Sequence, residues 1–366
     1  MFQVKDGVST LLKEEVKSLV VEGKMGTSVF STSSWILEEC AKKLKWNFKR
    51  YRYTNLPNTV EDKTILLVYG WFGIWNDNLC SIDAVKTACS CLSNMLADKT
   101  KQVKIIFVMR KDLFNKYKDE VFERYSELFL NEICLDNTNT HKEYSTYLKK
   151  KVKGPCKNSD CKCKKLTTEI IHGEDNFVGM PLKLNIISNH HDLISNFTDH
   201  GDILKAMANH IAELEQKTDM KIIYDWITYI CLKGQFSRSE PFDEDLVKNL
   251  NLEISSSCFD EHDSRFQRYF RLRYRDQQIN VSTDRARYVF WHPFIYICAF
   301  HALYNKDKEI VMTHCNVDAI LELVRPIGHS VSNSYIEVVA DEHCVCLLYT
   351  SPSPRDLSTS RMPSSA

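Results

Sequence analysis

The chain has 366 residues, 43% of them hydrophobic and 26% charged, which is enough to form packed cores over two or three domains. Its 48 Lys and Arg balance its 48 Asp and Glu, which excludes a uniformly basic nucleic-acid coat but not a local patch. No apolar run reaches about 18 residues, and the N-terminus lacks a signal-peptide core. The 14 cysteines show no disulfide-framework spacing, so we expect reduced thiols and a cytoplasmic protein.

The first part of the chain predicts strands that alternate with helices. Short apolar runs rich in β-branched residues predict buried strands at 18–22, 65–69, 103–109 and 133–135. Apolar residues at helical spacing predict helices over 31–44 and 83–96. This alternation favours a parallel sheet with crossover helices, in an α/β domain over residues 8–145.

The pattern changes after residue 145. Between His141 and Lys165, nine lysines accompany two acids, three cysteines and a Gly-Pro pair, which predicts a basic linker over 146–175. Residues 176–237 then show helical spacing, with helices predicted at 181–188, 202–217 and 221–233.

Residues 240–310 predict two helices followed by two short strands, which is the order of a winged helix. The predicted elements are helices at 243–250 and 261–273, strands at 278–281 and 287–291, and a final helix at 294–304. Residues 311–349 are expected to form a helical extension. Residues 350–366 hold three prolines and six serines, and we expect a disordered, non-native tail.

Gly23 and Gly26 lie between the first predicted strand and helix, where a phosphate-binding loop belongs. That loop has the pattern G-x-x-x-x-G-K-[S/T]. Its glycines let the backbone approach the phosphates closely, its lysine binds the phosphates, and its Ser or Thr hydroxyl binds Mg²⁺. Of these fixed positions only Gly23 remains, since Ser28, Val29 and Phe30 occupy the others. Taken alone, the pattern favours an ordinary strand–turn–helix connection.

The second buried strand lacks the acid that would organise Mg²⁺ and the attacking water. Tyr69 and Gly70 stand at that place, and the next acid, Asp77, follows well after the strand. Together, these segments resemble the core of a STAND-type P-loop NTPase, most of all the novel STAND NTPases of invertebrate immune-type proteins. Phe72-Gly73 and Arg110 match that family's second and third strands.

The resemblance continues to about residue 330. Gly179 and Pro181 resemble the Gly-x-Pro motif that opens the family's helical lid, and His292 resembles the winged-helix histidine that faces the nucleotide. It implies a P-loop NTPase-like parallel sheet followed by a helical lid and a winged helix. The candidate nucleotide-binding residues are Gly23, Gly26, Thr27, Ser28, Arg110, Gly179, Pro181 and His292.

The implied function is a signalling switch or scaffold of innate-immune type, which acts through protein contacts and forms homo-oligomers on activation. Loss of the phosphate and Mg²⁺ residues predicts a pseudo-NTPase that binds ATP or ADP weakly or not at all, without tightly bound Mg²⁺. We assign no catalytic residue, no metal ligand and no membrane partner. A slow ATPase is the first alternative, and a winged-helix DNA-binding protein is the second.

The DNA-binding alternative depends on a row of arginines. Arg265, Arg268, Arg271 and Arg275 would share one face of the second winged-helix helix, as in a recognition helix. A solvated face with interdomain ion pairs explains them equally simply. In STAND proteins the winged helix packs on the core, so the resemblance disfavours nucleic acid as a partner.

Cys156, Cys161 and Cys163 form a Cys-x₄-Cys-x-Cys pattern, which could supply three zinc thiolates with His172 as a fourth ligand. Structural zinc sites more often pair two Cys-x₂₋₄-Cys knuckles, which favours a solvated loop with thiols near lysines. His190 and His191 are interpreted as the polar end of a helix. The sequence leaves open whether the three cysteines bind zinc.

Overall fold

The computed structural model describes residues 2–71, 82–135, 141–157, 161–173, 177–274, 286–327 and 337–340. The chain divides into two compact units, 1–191 and 192–366. Several sequence predictions lie outside the described residues: Phe72, Gly73, Arg275, the strand at 278–281 and the tail at 350–366.

The first unit contains a five-stranded parallel sheet. Its strands are β1 (Ser18–Gly23), β2 (Asn47–Arg52), β3 (Thr64–Tyr69), β4 (Val103–Arg110) and β5 (Glu132–Cys134). They lie in the order β2-β3-β4-β1-β5, and each neighbouring pair is parallel. The prediction of a parallel sheet is therefore confirmed, with β4 between β1 and β3. The sequence analysis missed β2, because this edge strand is mostly polar.

Helices cover both faces of this sheet. The helices of the unit are α1 (Phe2–Leu11), α2 (Val29–Leu44), α3 (Ile82–Ala97), α4 (Lys111–Lys116), α5 (His141–Tyr147), α6 (Thr168–His172) and α7 (Met180–Asn189). Leu19 and Val21 of β1 pack with α1 and α2, whereas Val20 packs in the core that contains α3. Successive strand residues point to opposite faces, so continuous apolar runs fill two cores.

The connections that leave β1 and β4 run in opposite directions across the sheet. From β1 the chain crosses through α2 to the β2 edge, and from β4 it passes β1 to reach β5 at the other edge. In open parallel sheets, ligands bind outside the carboxyl ends of the strands at such a switch point. Gly23 and Arg110 are paired there, at the ends of β1 and β4.

The basic segment that the sequence predicts as a linker is largely helical. After α5, a π-helical stretch runs from Leu148 to Lys153, and a 3₁₀ turn from Lys162 to Lys165 precedes α6. Val152 and Cys163 are buried. The sequence does not reveal these helical segments, because lysines are abundant and the buried side chains are few and widely spaced.

The second unit is mainly helical. Its helices are α8 (Ile194–His200), α9 (Ile203–Leu214), α10 (Lys221–Lys233), α11 (Glu244–Asn249), α12 (Ser264–Gln267), α13 (Pro293–Lys306), α14 (Lys308–His314) and α15 (Val317–Leu323). Strands β6 (Phe270–Tyr274) and β7 (Ala286–Phe290) are antiparallel, and β8 (Val324–Pro326) and β9 (Val338–Ala340) are parallel. No helix among the described residues could cross a bilayer.

The predicted helix at 261–273 is wrong over most of its length. Helix α12 has four residues, and β6 begins at Phe270. The sequence of β6, Phe-Arg-Leu-Arg-Tyr, also alternates between apolar and polar residues with a period of two. Pairing with β7 stabilises this segment as a strand rather than as a helix. Arg265 and Arg271 therefore do not share a helix face, and Arg265 is paired with Asp263 at 2.6 Å. The helix-borne arginine face on which DNA recognition depended is not formed.

Candidate functional site

The loop of residues 23–28 connects β1 to α2, as the sequence predicts. Gly26 has φ +79°, a left-handed conformation that favours glycine. Ser28 precedes α2, but its side chain accepts no hydrogen bond from the helix. Val29, at the position of the missing lysine, is buried in the core that contains α1 and α2.

Backbone donors of this loop are bonded within the protein. The Met25 N–H donates to the Phe177 carbonyl at 3.0 Å, and the Thr27 N–H donates to the Lys24 carbonyl at 3.0 Å. The Val29 N–H donates to the Thr27 carbonyl at 2.6 Å. The Thr27 hydroxyl also donates to the Lys24 carbonyl, at 2.7 Å. A phosphate-binding loop aims such donors at its ligand, whereas the N–H groups of Met25, Thr27 and Val29 are already bonded within the protein.

The segment that begins at Phe177 is joined to the loop through the backbone. Met25 and Val178 form a parallel β-bridge, and the Gly179 N–H donates to the Met25 carbonyl at 2.8 Å. A Cβ on Gly179 would lie 2.5 Å from Thr27 Cγ2, so only glycine permits this approach. The structure thus brings Thr27 beside Gly179 and Pro181, and Gly26 beside Leu182 of the same segment.

A small pocket with a cavity volume of about 90 Å³, partly open to solvent, adjoins the loop. Thr27, Gly179 and Pro181 line it together with two lysines, Lys24 and Lys183. Lys183 is buried, and its ammonium donates to the His172 carbonyl at 2.9 Å. This arrangement suits an anionic ligand. The sequence analysis missed Lys183, although a lysine inside the apolar Met180–Ile187 run of α7 was the available signal.

Arg110 ends β4 beside the same segment. Its guanidinium forms a two-point ion pair with the Asp112 carboxylate and lies 5.2 Å from the centre of the Phe177 ring. Because the Asp112 carboxylate already pairs with the Arg110 guanidinium, this guanidinium is less available to bind phosphate. Its contact with the Phe177 ring instead positions that ring.

Phe30 and Tyr69 occupy the positions where the Mg²⁺ hydroxyl and an acid would stand in an intact P-loop NTPase. Their rings pack edge to face, with centres 5.2 Å apart. An aromatic pair supplies no oxygen ligand set for Mg²⁺ at this place.

His292 lies in the second unit. It precedes α13, and its Nδ1 accepts a hydrogen bond from the Phe294 N–H at 3.1 Å. This is an ordinary helix cap, strengthened by Pro293 at the first helical position. The expectation that His292 faces loop 23–28 stays a prediction.

The three cysteines of the basic segment come together, but not with the expected histidine. Cys156, Cys161 and Cys163 lie with His191 in a group whose ligand atoms are all within 4.8 Å of one another. His172 instead lines the pocket, with its Nδ1 3.2 Å from the Gly173 carbonyl oxygen. Burial and the two neighbouring thiols raise the pKa of Cys163 to about 12.

No protein-family model matches the chain, and no curated protein matches it by sequence. Among solved structures, a DNA polymerase III gamma subunit-related protein from Thermotoga maritima is similar to 73% of this chain over 97% of its own length. The sequence identity is 10% and the TM-score is 0.25. Because this TM-score is low, the fold is described from the strand order and register of this chain and not from the similarity.

Proposed function

We propose that this protein is a STAND-type signalling switch or scaffold with a degenerate nucleotide site. The observation that carries the proposal is the backbone bridge between Met25 and Val178. It joins the loop that would hold phosphate to the Gly-x-Pro segment that would open the lid. The family resemblance implies that a nucleotide holds these parts closed in an intact member. In this chain the protein backbone supplies that contact.

The lost phosphate contacts support a pseudo-NTPase. Each charged hydrogen bond to phosphate contributes about 1.5–3 kcal/mol, and the side chains of Val29 and Phe30 provide none. Binding phosphate in the usual way would also require the loop to release the bonds of Met25 and Thr27, at a net cost of about 0.5–1.5 kcal/mol each. Both effects oppose tight triphosphate binding and hydrolysis.

The lysines at the pocket support weak binding of an anion. Lys24 and Lys183 supply positive charge without a metal ion. Any ATP or ADP that binds would therefore bind independently of Mg²⁺ and remain intact. Signalling would then proceed through protein contacts, with homo-oligomers formed when the closed arrangement opens.

The first experiment is a calorimetric titration of the full chain with ADP and ATP, with and without Mg²⁺, alongside a phosphate-release assay. We expect weak or no binding, no effect of Mg²⁺ and no hydrolysis above background. Lys183→Met should abolish whatever binding is seen. Turnover that requires Mg²⁺ and disappears in Lys24→Ala would instead establish the slow-ATPase alternative.

The second experiment tests the switch. Gly179→Val places a side chain against Thr27 and should separate the loop from its partner segment, which raises self-association measured by light scattering after size exclusion. Gly201→Asn is the control, since nothing lies within 4 Å of the added Cβ and asparagine tolerates the left-handed φ of +67° at this position. A folded Gly179→Val protein with an unchanged oligomeric state would contradict the switch.

A further inference from the structure

Three thiols and one imidazole converge where the basic segment meets the end of α7. Cys156 follows the π-helical stretch, Cys161 caps the 3₁₀ turn that leads to α6, and Cys163 lies within that turn. His191 follows α7 by two residues. All four residues lie within the first unit. Parts of the chain 28 residues apart thus contribute to one cluster, a convergence that the sequence spacing does not show.

The distances in this cluster suit tetrahedral zinc. Zinc–sulfur bonds of about 2.3 Å and zinc–nitrogen bonds of about 2.0–2.1 Å place tetrahedral ligands about 3.6 Å (sulfur to nitrogen) and about 3.8 Å (sulfur to sulfur) apart. Cys161 Sγ lies 3.6 Å from His191 Nδ1. Every other pair of ligand atoms lies within 4.8 Å, so shifts of about 1 Å or less would complete the site.

The surroundings of the cluster are suited to the negative charge that zinc-bound thiolates would carry. The Cys163 N–H points at Cys161 Sγ at 3.4 Å, a contact that stabilises negative charge on sulfur. Zinc with three thiolates and one neutral imidazole carries one net negative charge. The nine lysines between His141 and Lys165 offset it, and the Lys153 ammonium spans the turn to the Lys164 carbonyl at 3.0 Å.

None of the three cysteines forms a disulfide, and an odd number of thiols could not all be paired within the cluster. Cys163 is fully buried, while Cys156, Cys161 and His191 are partly exposed, so an ion has a route in. Among divalent ions, a set of three thiolates and one imidazole selects zinc, because soft sulfur ligands suit it and the tetrahedral arrangement matches its preference.

We propose that Cys156, Cys161, Cys163 and His191 bind one Zn²⁺ as a structural site. Four protein ligands fill its coordination shell and leave no position for a substrate, so the ion stabilises the fold and takes no part in chemistry. It ties the basic segment to the C-terminal end of α7, whose N-terminal end borders loop 23–28. The proposal stands whether or not the chain binds nucleotide.

The first test is the zinc content of the full chain, purified without added metal or chelator and measured by plasma mass spectrometry. We expect one zinc ion per chain for the wild type. Cys161→Ser and His191→Ala should lose it, with affinities reduced by more than the ~10–100-fold typical of outer-shell changes. Two control variants should retain the zinc ion. They are Cys258→Ser, which replaces an exposed cysteine outside the cluster, and His172→Ala.

Retention of zinc by both Cys161→Ser and His191→Ala would overturn the proposal. Loss of zinc in His172→Ala but not in His191→Ala would also overturn it, because it would restore the ligand set expected from the sequence. A disulfide between any two of the three cysteines, found by mass spectrometry of the protein isolated without reductant, would do the same.

A second measurement uses only the wild-type protein and needs no variant. Wild-type protein stripped of metal with EDTA is titrated with Co²⁺, whose visible absorption reports tetrahedral thiolate coordination. The expected spectrum is that of three sulfurs and one nitrogen, displaced by stoichiometric Zn²⁺. EDTA should also lower the melting temperature of the wild type, and added Zn²⁺ should restore it. No tetrahedral spectrum and no effect of EDTA on melting would refute the site.

Discussion

Replacing Gly26 with alanine tests the contact between the loop and α7. Gly26 has φ +79°, and a Cβ there would lie 2.3 Å from the Cβ of Leu182. Leu182 Cβ is bonded directly to the backbone of α7, so rotation of the leucine side chain cannot relieve the overlap. The variant must therefore move either the loop or the helix.

The cost follows from three effects. A left-handed conformation costs a residue with a Cβ about 1–2 kcal/mol, and overlap with a packed neighbour costs about 1–3 kcal/mol. The reduced freedom of the unfolded chain offsets about 0.4–1 kcal/mol. We expect Gly26→Ala to lower the free energy of unfolding of the first unit by about 3 kcal/mol.

Gly70→Ala is the matched control. It lies in the same unit, also follows a parallel strand and has φ +82°, but its added Cβ would meet nothing closer than Arg52 Cγ at 3.7 Å. Only the conformational effects remain, so its cost should be about 1 kcal/mol. Urea unfolding followed by circular dichroism, with the transition of the first unit fitted separately, measures both values.

The double variant Gly26→Ala with Leu182→Ala measures the part of the overlap that comes from the outer atoms of the leucine side chain. Because Leu182→Ala retains Cβ, its effect comes only from the outer atoms, at 2.6 and 2.9 Å, and the coupling should be about 1 kcal/mol. Equal losses of unfolding free energy for Gly26→Ala and Gly70→Ala would refute the packing of the loop on α7. They would also refute the proposal that this packing holds the loop and the Gly-x-Pro segment closed.

Three further predictions test other parts of the structure by the same unfolding measurement. Burial lowers the pKa of His210 to about 4 from 6.5, so the unfolded state takes up a proton at a higher pH than the folded state does. The free energy of unfolding of the second unit should therefore be highest above pH 6.5 and fall by about 3 kcal/mol as the pH is lowered to 4. His210→Gln should remove this pH dependence. Trp226→Ala should cost about 3–5 kcal/mol, because the indole is fully buried among aromatic rings, whereas exposed Trp35→Ala should change stability by less than about 0.5 kcal/mol. Asp112→Asn should cost about 1.5–3 kcal/mol because it leaves the partly buried Arg110 charge without its carboxylate, and an unchanged midpoint would show that this pair is not formed in solution.

Local sequence located the loop of the candidate site but not its full chemistry. Gly23, Gly26 and Thr27 were found because a strand, glycines and a helix follow one another closely in the chain. Lys183 and His191 were missed because neither belongs to a local motif. Each acquires its setting when α7 packs against segments that precede it by tens of residues.

The sequence by itself determined the α/β class, because the strands over 18–22, 65–69 and 103–109 are buried on both faces and are therefore mostly apolar along their length. It also determined that the phosphate and Mg²⁺ residues are absent, since residue identity does not depend on folding. Only the tertiary structure decided that β2 joins the sheet and that residues 270–274 form a strand, because long-range pairing overrides local pattern. It alone also placed His191 rather than His172 beside the three cysteines, because a ligand set is defined by distances between side chains that the folded backbone brings together.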